Sequence, residues 1–150
     1  MSVDAFCDRE VVIARRNTPV VEAAQLMRHH HAGDIVVVTD GEESPRPVGI
    51  SSPTGTWWWN FLPARSPPAN LTVGDIMSPG LGTAREQDSL WDTLKRMQGH
   101  GIRRMVVVND QDGLEGILTV DDLLALLGEE IDALAKVTAR EEAREKRLRE

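Results

Sequence analysis

The sequence predicts an α+β (α/β) fold: two tandem helix–strand–strand–helix repeats packed with pseudo-two-fold symmetry, followed by a C-terminal helical extension. Three observations carry this. Sliding the chain against itself by 70 positions superposes AAQLMRHHHAGDIVVVTD (23–40) on TLKRMQGHGIRRMVVVND (93–110). The helical apolar spacing repeats with it, Val20, Ala23, Ala24 and Met27 matching Leu90, Thr93, Leu94 and Met97 at i, i+3, i+4, i+7. Each helix is then followed by a short aliphatic run, a polar turn and a second run containing Gly-Ile. Two halves of this kind bury their apolar faces against each other.

Taken in order, an extended stretch near Val11 to Ala14, or Leu81 to Ala84, leads each repeat. Thr18 before Pro19 is the expected helix cap in the first copy and Asp88 in the second. The helices should stop at His29–Gly33 and at Gly99-His100-Gly101, where glycine takes the left-handed conformation. DIVVV and RMVVV read as buried strands, and VGI (48–50) and EGILT (115–119) as their successors. The last strand of copy two opens a helix from about Val120. The expected organisation is a first repeat over 5–70, a second over 71–130 and a charged helical tail over 131–150.

Composition narrows the function classes. The 150 residues suit about one ordinary domain, and 41% hydrophobic content with only 4% aromatic residues means a core of Val, Leu, Ile and Ala. The 17 basic and 24 acidic side chains give a net charge of −7, which opposes sequence-independent attraction to nucleic acid or anionic lipid. Cys7 is the single cysteine and permits no internal disulfide, and no run has the length of a membrane span or a secretory signal, so a cytoplasmic protein is expected.

LTVGDIMSP (71–79), HGIRRMVVVND (100–110) and GLEGILTVDDLLALL (113–127) resemble the cystathionine-β-synthase (CBS) domain, and two in tandem resemble the pair called a Bateman module. The resemblance covers about residues 5–50 and 71–130 and is stronger in the second copy. It implies a regulatory module that binds adenosine-containing ligands in clefts between the repeats and commonly pairs with a second module into a disc.

The sharpest constellation is Thr119-Val120-Asp121-Asp122 after the strand GIL. A hydroxyl at a strand-to-helix junction lies beside free backbone N–H groups and the positive helix end, which suit a phosphate. A carboxylate three residues on can accept from two ribose hydroxyls. The resemblance assigns these roles to Thr119 and Asp122. An ordinary N-cap with acidic first-turn residues explains the same pattern, and both can hold together. Arg103 and Arg104, just before the buried strand, stand where the family often places phosphate contacts. By strand alternation one can face the cleft while the other faces solvent, and two solvated arginines remain the alternative. Thr83 and Met105 complete the ligand-facing set that the resemblance implies. Copy one has Gly33 and Asp34 at the arginine positions, so no cation is expected there.

Other chemistry is poorly supported. His29, His30 and His31 point about 100° apart on a helix, so with His100 they make a weak metal site. Cys7 lacks an identifiable His–Asp partnership and reads as a free thiol. Asn70-Leu71-Thr72 has the glycosylation pattern but no secretory signal accompanies it. The sequence offers no nucleophile–base set, Walker-type glycine loop or dinucleotide fingerprint, so no enzyme and no required cofactor are expected.

Residues 51–69, SSPTGTWWWNFLPARSPPA, break the repeat with four prolines and three consecutive tryptophans. A divergent loop or an exposed aromatic patch for a partner would explain them. A shifted reading frame explains more. Tryptophan has one codon, TGG, so read from the third base of each codon the segment after Ile50 allows Val-Thr-Asp-Arg-Asp-Leu-Val-Val-Glu, its last three residues forced. Joined to Gly49-Ile50, this supplies the strand, Thr-x-x-Asp and helix start that the repeat demands. We read the segment as frameshifted, beginning near Ile50 and corrected before Leu71, and expect 51–69 to lack regular structure.

In the tail, Leu124, Leu127, Ile131 and Leu134 recur at 3–4 spacing and should first pack on the module or a partner. KVTAREEAREKRLRE, with six basic and four acidic residues, then suits a solvated helix held by i, i+4 charge pairs; a dimerising coiled coil is the alternative. The functional expectation is a sensor binding AMP, ADP, ATP or S-adenosylmethionine, acting as a homodimer on an unidentified protein effector, with no membrane and no nucleic-acid partner. A ligand-independent dimerisation scaffold is the competing class.

Overall fold

A computed structural model describes residues 1–41, 43–51, 70–78 and 80–149. Met1–Leu118 forms one compact unit and Thr119–Glu150 a second. The first unit contains a 3₁₀ turn (Val3–Ala5), β1 (Ile13–Arg15), α1 (Val20–His30), β2 (Ile35–Val38), β3 (Pro47–Ser51), α2 (Val73–Ile76), β4 (Thr83–Arg85), α3 (Leu90–His100), β5 (Arg104–Val108) and β6, which runs from Leu114 to Thr119 at the unit boundary. The second is a single helix, α4 (Val120–Arg149).

The strands form two three-stranded sheets, β1-β2-β3 and β4-β5-β6. β1 runs parallel to β2 with Ile13 opposite Val36, and β4 runs parallel to β5 with Thr83 opposite Val106, the same register 70 residues later. β3 returns antiparallel to β2, pairing Ile35 with Ser51 and Val36 with Ile50. The burial class of each residue over 31–40 recurs unchanged over 101–110.

Strand alternation splits the core in two. Ile35 and Val37 face inward to the helices of their own half, packing with Ala14, Ala23, Met27 and Val73. Val36 and Val38 face the other way and meet Val106, Val108 and Ile117, so this cluster fastens one repeat to the other. β-branched side chains fit such doubly covered strands because their restricted rotamers lose little on packing.

The repeats also exchange their leading segments. Val3 N–H donates to Asp88 C=O, Asp4 N–H to Glu86 C=O, and Leu90 N–H to Met1 C=O; in the symmetry-related places Val73 donates to Thr18, Gly74 to Arg16, and Val20 to Leu71. The N-terminal arm thus docks on the second repeat while the α2 segment docks on the first. Bridges between Asp8 and Ile117, and between Ile50 and Ser78, continue the exchange onto the sheet edges.

Several local expectations need correction. Thr18 and Asp88 are not the helix caps: Pro19 and Ser89 hold those positions, and the Ser89 hydroxyl accepts from Asp92 N–H. Thr18 Oγ1 and Asp88 Oδ2 instead accept from the N–H of Arg15 and Arg85, closing the strand-to-helix turn one residue earlier. α1 stops at His31, which adopts the left-handed conformation (φ 51°) in place of a glycine, whereas α3 stops at Gly101 (φ 64°) as anticipated. The Thr39-to-Arg46 connection is three residues longer than its counterpart, so Gly49, Ile50 and Ser51 correspond to Gly116, Ile117 and Leu118. The last strand of copy one is therefore present at least as far as Ser51, the first residue of the anomalous stretch. The rest of that stretch, residues 52–69, with the expectation of irregular structure made for it, lies outside the described residues.

α4 is continuous through the tail, and Leu123 is its one buried residue. Leu124, Leu127, Ile131 and Leu134, expected to pack on the module or on a partner, are 42–68% exposed in the single chain, so they do not pack on the module. Lys136 pairs with Asp132 at 2.5 Å and Arg149 with Glu145 at 3.8 Å, both at i, i+4.

Candidate functional site

Thr119 is the last residue of β6, and Asp122 lies in the first turn of α4. The Thr119 hydroxyl donates to Asp122 Oδ2 at 2.6 Å and accepts from Asp122 N–H at 3.1 Å. This is N-cap geometry, in which one side chain satisfies an N–H that the helix leaves without a carbonyl. The capping and ligand readings remain compatible, since Asp122 is exposed and its second oxygen has lone pairs to offer a donor.

The remaining candidates lie in the first unit. Arg103 is exposed, while Arg104 is 24% exposed at the side chain and turned toward the first repeat. Strand alternation explains the difference, because Arg104 shares a pleat face with Val106 and Val108. Arg104 Nε donates to Asp34 Oδ2 at 2.6 Å, joining residues at the same position of the two repeats. Copy one was expected only to lack a cation here; it supplies the counter-ion. Thr83, on β4, is exposed. Met105, 2% exposed, sits on the opposite pleat face from Arg104, and its side chain closes over Gly82, where an added Cβ would stand 3.2 Å from Met105 Cε.

Asp34 is the functional candidate that sequence reasoning passed over. The signal was present: Asp and Arg at equivalent positions of a duplication carry opposite charges where the symmetry axis brings equivalents together. Among the described residues no cluster of three His, Cys, Asp or Glu side chains is placed to hold a metal ion. No helix among them is long and apolar enough to cross a membrane.

The duplicated sheet–helix unit with exchanged arms matches the family model of the CBS domain twice, over residues 3–53 and 73–129. The chain belongs to the CBS domain family. It is 31% identical over 124 residues to uncharacterized protein MK0525 of Methanopyrus kandleri, a match covering 83% of this chain and 61% of that one, so it spans under two thirds of that relative's length. Among solved structures, CBS domain protein PAE2072 of Pyrobaculum aerophilum, complexed with AMP, superposes with a TM-score of 0.70 at 22% identity, covering 82% of this chain and 90% of that one. The CBS domain pair of protein MJ0100, in complex with 5′-methylthioadenosine and S-adenosyl-L-methionine, gives 0.70 at 23% identity, covering 87% and 98%. At these identities the likeness shows the shared CBS-pair fold.

Proposed function

We propose that this CBS pair is a non-catalytic regulatory module that binds an adenosine-containing ligand, AMP, ADP, ATP or S-adenosylmethionine, and passes the signal to a protein effector. The observation that carries it is the Thr119–Asp122 pair at a strand-to-helix junction in a CBS domain. In this reading Thr119 and the helix N-terminus take a phosphate or its equivalent, and Asp122 takes the ribose hydroxyls. Arg103, Arg104, Thr83 and Met105 are further candidate contacts. PAE2072 with AMP and MJ0100 with S-adenosylmethionine support the ligand class. Ligand acts by differential affinity for two packings of the module.

A second reading, a ligand-independent homodimeric scaffold, draws on the exposed stripe Leu124, Leu127, Ile131 and Leu134 of α4. Thermal melting separates them. At a ligand concentration of 100 Kd, mass action adds about 2.7 kcal/mol of stability, so adenine nucleotides or S-adenosylmethionine at millimolar level should raise the midpoint. Thr119→Ala and Asp122→Ala, each compared with its own ligand-free midpoint, should abolish the rise. A flat response of the wild type to every adenosine compound, together with a dimeric mass, would establish the scaffold instead. We place the module in the cytoplasm, on its single cysteine.

A further inference from the structure

Leu124, Leu127, Ile131 and Leu134 line one side of α4 and are 60%, 42%, 67% and 68% exposed in the single chain. At a rise of about 1.5 Å per residue they form a stripe about 15 Å long. It begins two residues after Asp122. A contiguous apolar stripe on a surface helix marks the footprint of a partner. Two features of the same helix define the kind of partner.

The first is charge. Residues 121–134 hold five acidic side chains, Asp121, Asp122, Glu129, Glu130 and Asp132, and no basic one. At about 100° per residue, Glu130 borders the stripe on one edge, and Asp121 and Asp132 lie along the other. Lys136, the next basic residue, is on the far face and pairs with Asp132 at 2.5 Å. A second copy of α4 fits this surface poorly, because over the stripe it brings five more carboxylates. The basic half of α4, with six basic and three acidic side chains over 135–149, continues the stripe with Thr138, Glu141 and Glu145, so it would set carboxylates against leucines. An anionic lipid surface is repelled by the same acidic edges.

The second feature is Gly128, which lies with Ala135 along one edge of the stripe. Glycine weakens a helix interior, and among the described residues nothing stands within 4 Å of the place its Cβ would take. No described contact within the chain requires a glycine there, whereas a small edge lets the backbone of a second helix come close.

Resting on the effector reading above, we infer that α4 is the docking surface for the effector and that its occupant is a basic amphipathic helix of about three turns from another protein. The apolar face of that helix covers Leu124, Leu127, Ile131 and Leu134, its backbone lies along Gly128 and Ala135, and its Lys or Arg side chains meet Glu130, Asp121 and Asp132.

The probe is a synthetic peptide of about three heptads with leucine at a and d and lysine and alanine elsewhere. It is compared by fluorescence anisotropy with a scrambled peptide of the same composition and with one in which glutamate replaces lysine. The full chain should bind the first peptide at least about tenfold more tightly than the other two. Ile131→Ser with Leu134→Ser should weaken it by about tenfold, the equivalent of 1.4 kcal/mol, and so should Gly128→Leu, which has room in the free chain. Glu130→Lys should weaken the lysine peptide and tighten the glutamate one. Equal binding of the scrambled peptide, or no binding of any, overturns the inference. So does a wild-type dimer that Ile131→Ser with Leu134→Ser converts to a monomer, since a second copy then covers the stripe. Should that double variant lose its folded circular dichroism, Gly128→Leu decides. Melting with adenine nucleotides and S-adenosylmethionine is read on the same samples. A ligand response without peptide binding removes this inference alone, and peptide binding without a ligand response supports the docking surface while removing the adenosine reading.

Discussion

Ser51→Val should stabilise this protein. Ser51 is the last described residue of β3, opposite Ile35, is 4% exposed, and its hydroxyl has no hydrogen-bond partner among the described residues. Leu118, at the equivalent place in the second repeat, is fully buried, so the fold calls for an aliphatic side chain there. Removing a buried hydroxyl that lacks a partner recovers about 1–3 kcal/mol. The additional carbon of valine contributes about 0.8 kcal/mol of apolar burial, and imperfect fit takes back about 1 kcal/mol. The net gain of about 1–3 kcal/mol corresponds, at about 2–4 °C per kcal/mol for a chain of this size, to a midpoint rise of several degrees. Thermal and urea unfolding by circular dichroism measure it. Ser51→Ala isolates the hydroxyl contribution from the volume and should also raise the midpoint. A midpoint that is unchanged or lowered in both variants, with native spectra, would refute the argument by showing that the serine is satisfied at its site. The same result would weaken the reading of a shifted frame, since the alternative frame allows valine directly after Ile50. Sequencing of the gene by independent reads settles that origin directly.

Three further outcomes are expected. An added Cβ at Gly116 would stand 2.7 Å from Asp8 C=O and 3.1 Å from Cys7 Sγ, so Gly116→Ala should force the N-terminal arm off the sheet, costing about 1–3 kcal/mol and speeding hydrogen exchange at the Asp8 and Ile117 amides; Gly99→Ala, with open space around it, should be neutral or stabilising. Asp75 accepts from Thr72 N–H and Oγ1, which holds its carboxyl below the ordinary value. A depressed folded pKa contributes stability above the unfolded pKa of about 3.9 that is lost as pH falls through the folded value, so Asp75→Asn should flatten the acid limb of the stability curve and leave its neutral slope unchanged. Burial pushes the Cys7 thiol up against the opposing pull of Arg9, so iodoacetamide should alkylate the folded protein with a pH midpoint above that of the urea-unfolded chain; equal midpoints would contradict the burial. In linkage terms this raised group favours folding below its unfolded pKa and loses that contribution as pH climbs through the folded value.

Much of this architecture was legible because it is locally encoded. The i, i+3, i+4, i+7 spacing from Val20 and Leu90 gives helices that begin at those residues, and the valine triplets give strands buried on both faces. The Thr119 cap was legible too, since a hydroxyl three residues before a carboxylate at a strand end needs no distant partner. Helix stops were less so. His31 adopts the left-handed conformation at an energetic cost that only the surrounding fold makes tolerable, and a local rule sends that role to Gly33.

The sequence by itself determined the repeat, its element order, the family and the Thr119–Asp122 pair, because periodicity and short-range hydrogen bonding depend on neighbours a few residues apart. Tertiary structure alone decided that Arg104 is neutralised by Asp34, that Val3 is buried in the company of the second repeat's Asp88 and Glu86, and that Ser51 fills an aliphatic place. Those facts are set by contacts between segments 16 to 85 residues apart, whose pairing follows from how two duplicated sheets share one apolar face and not from any property of the residues read singly.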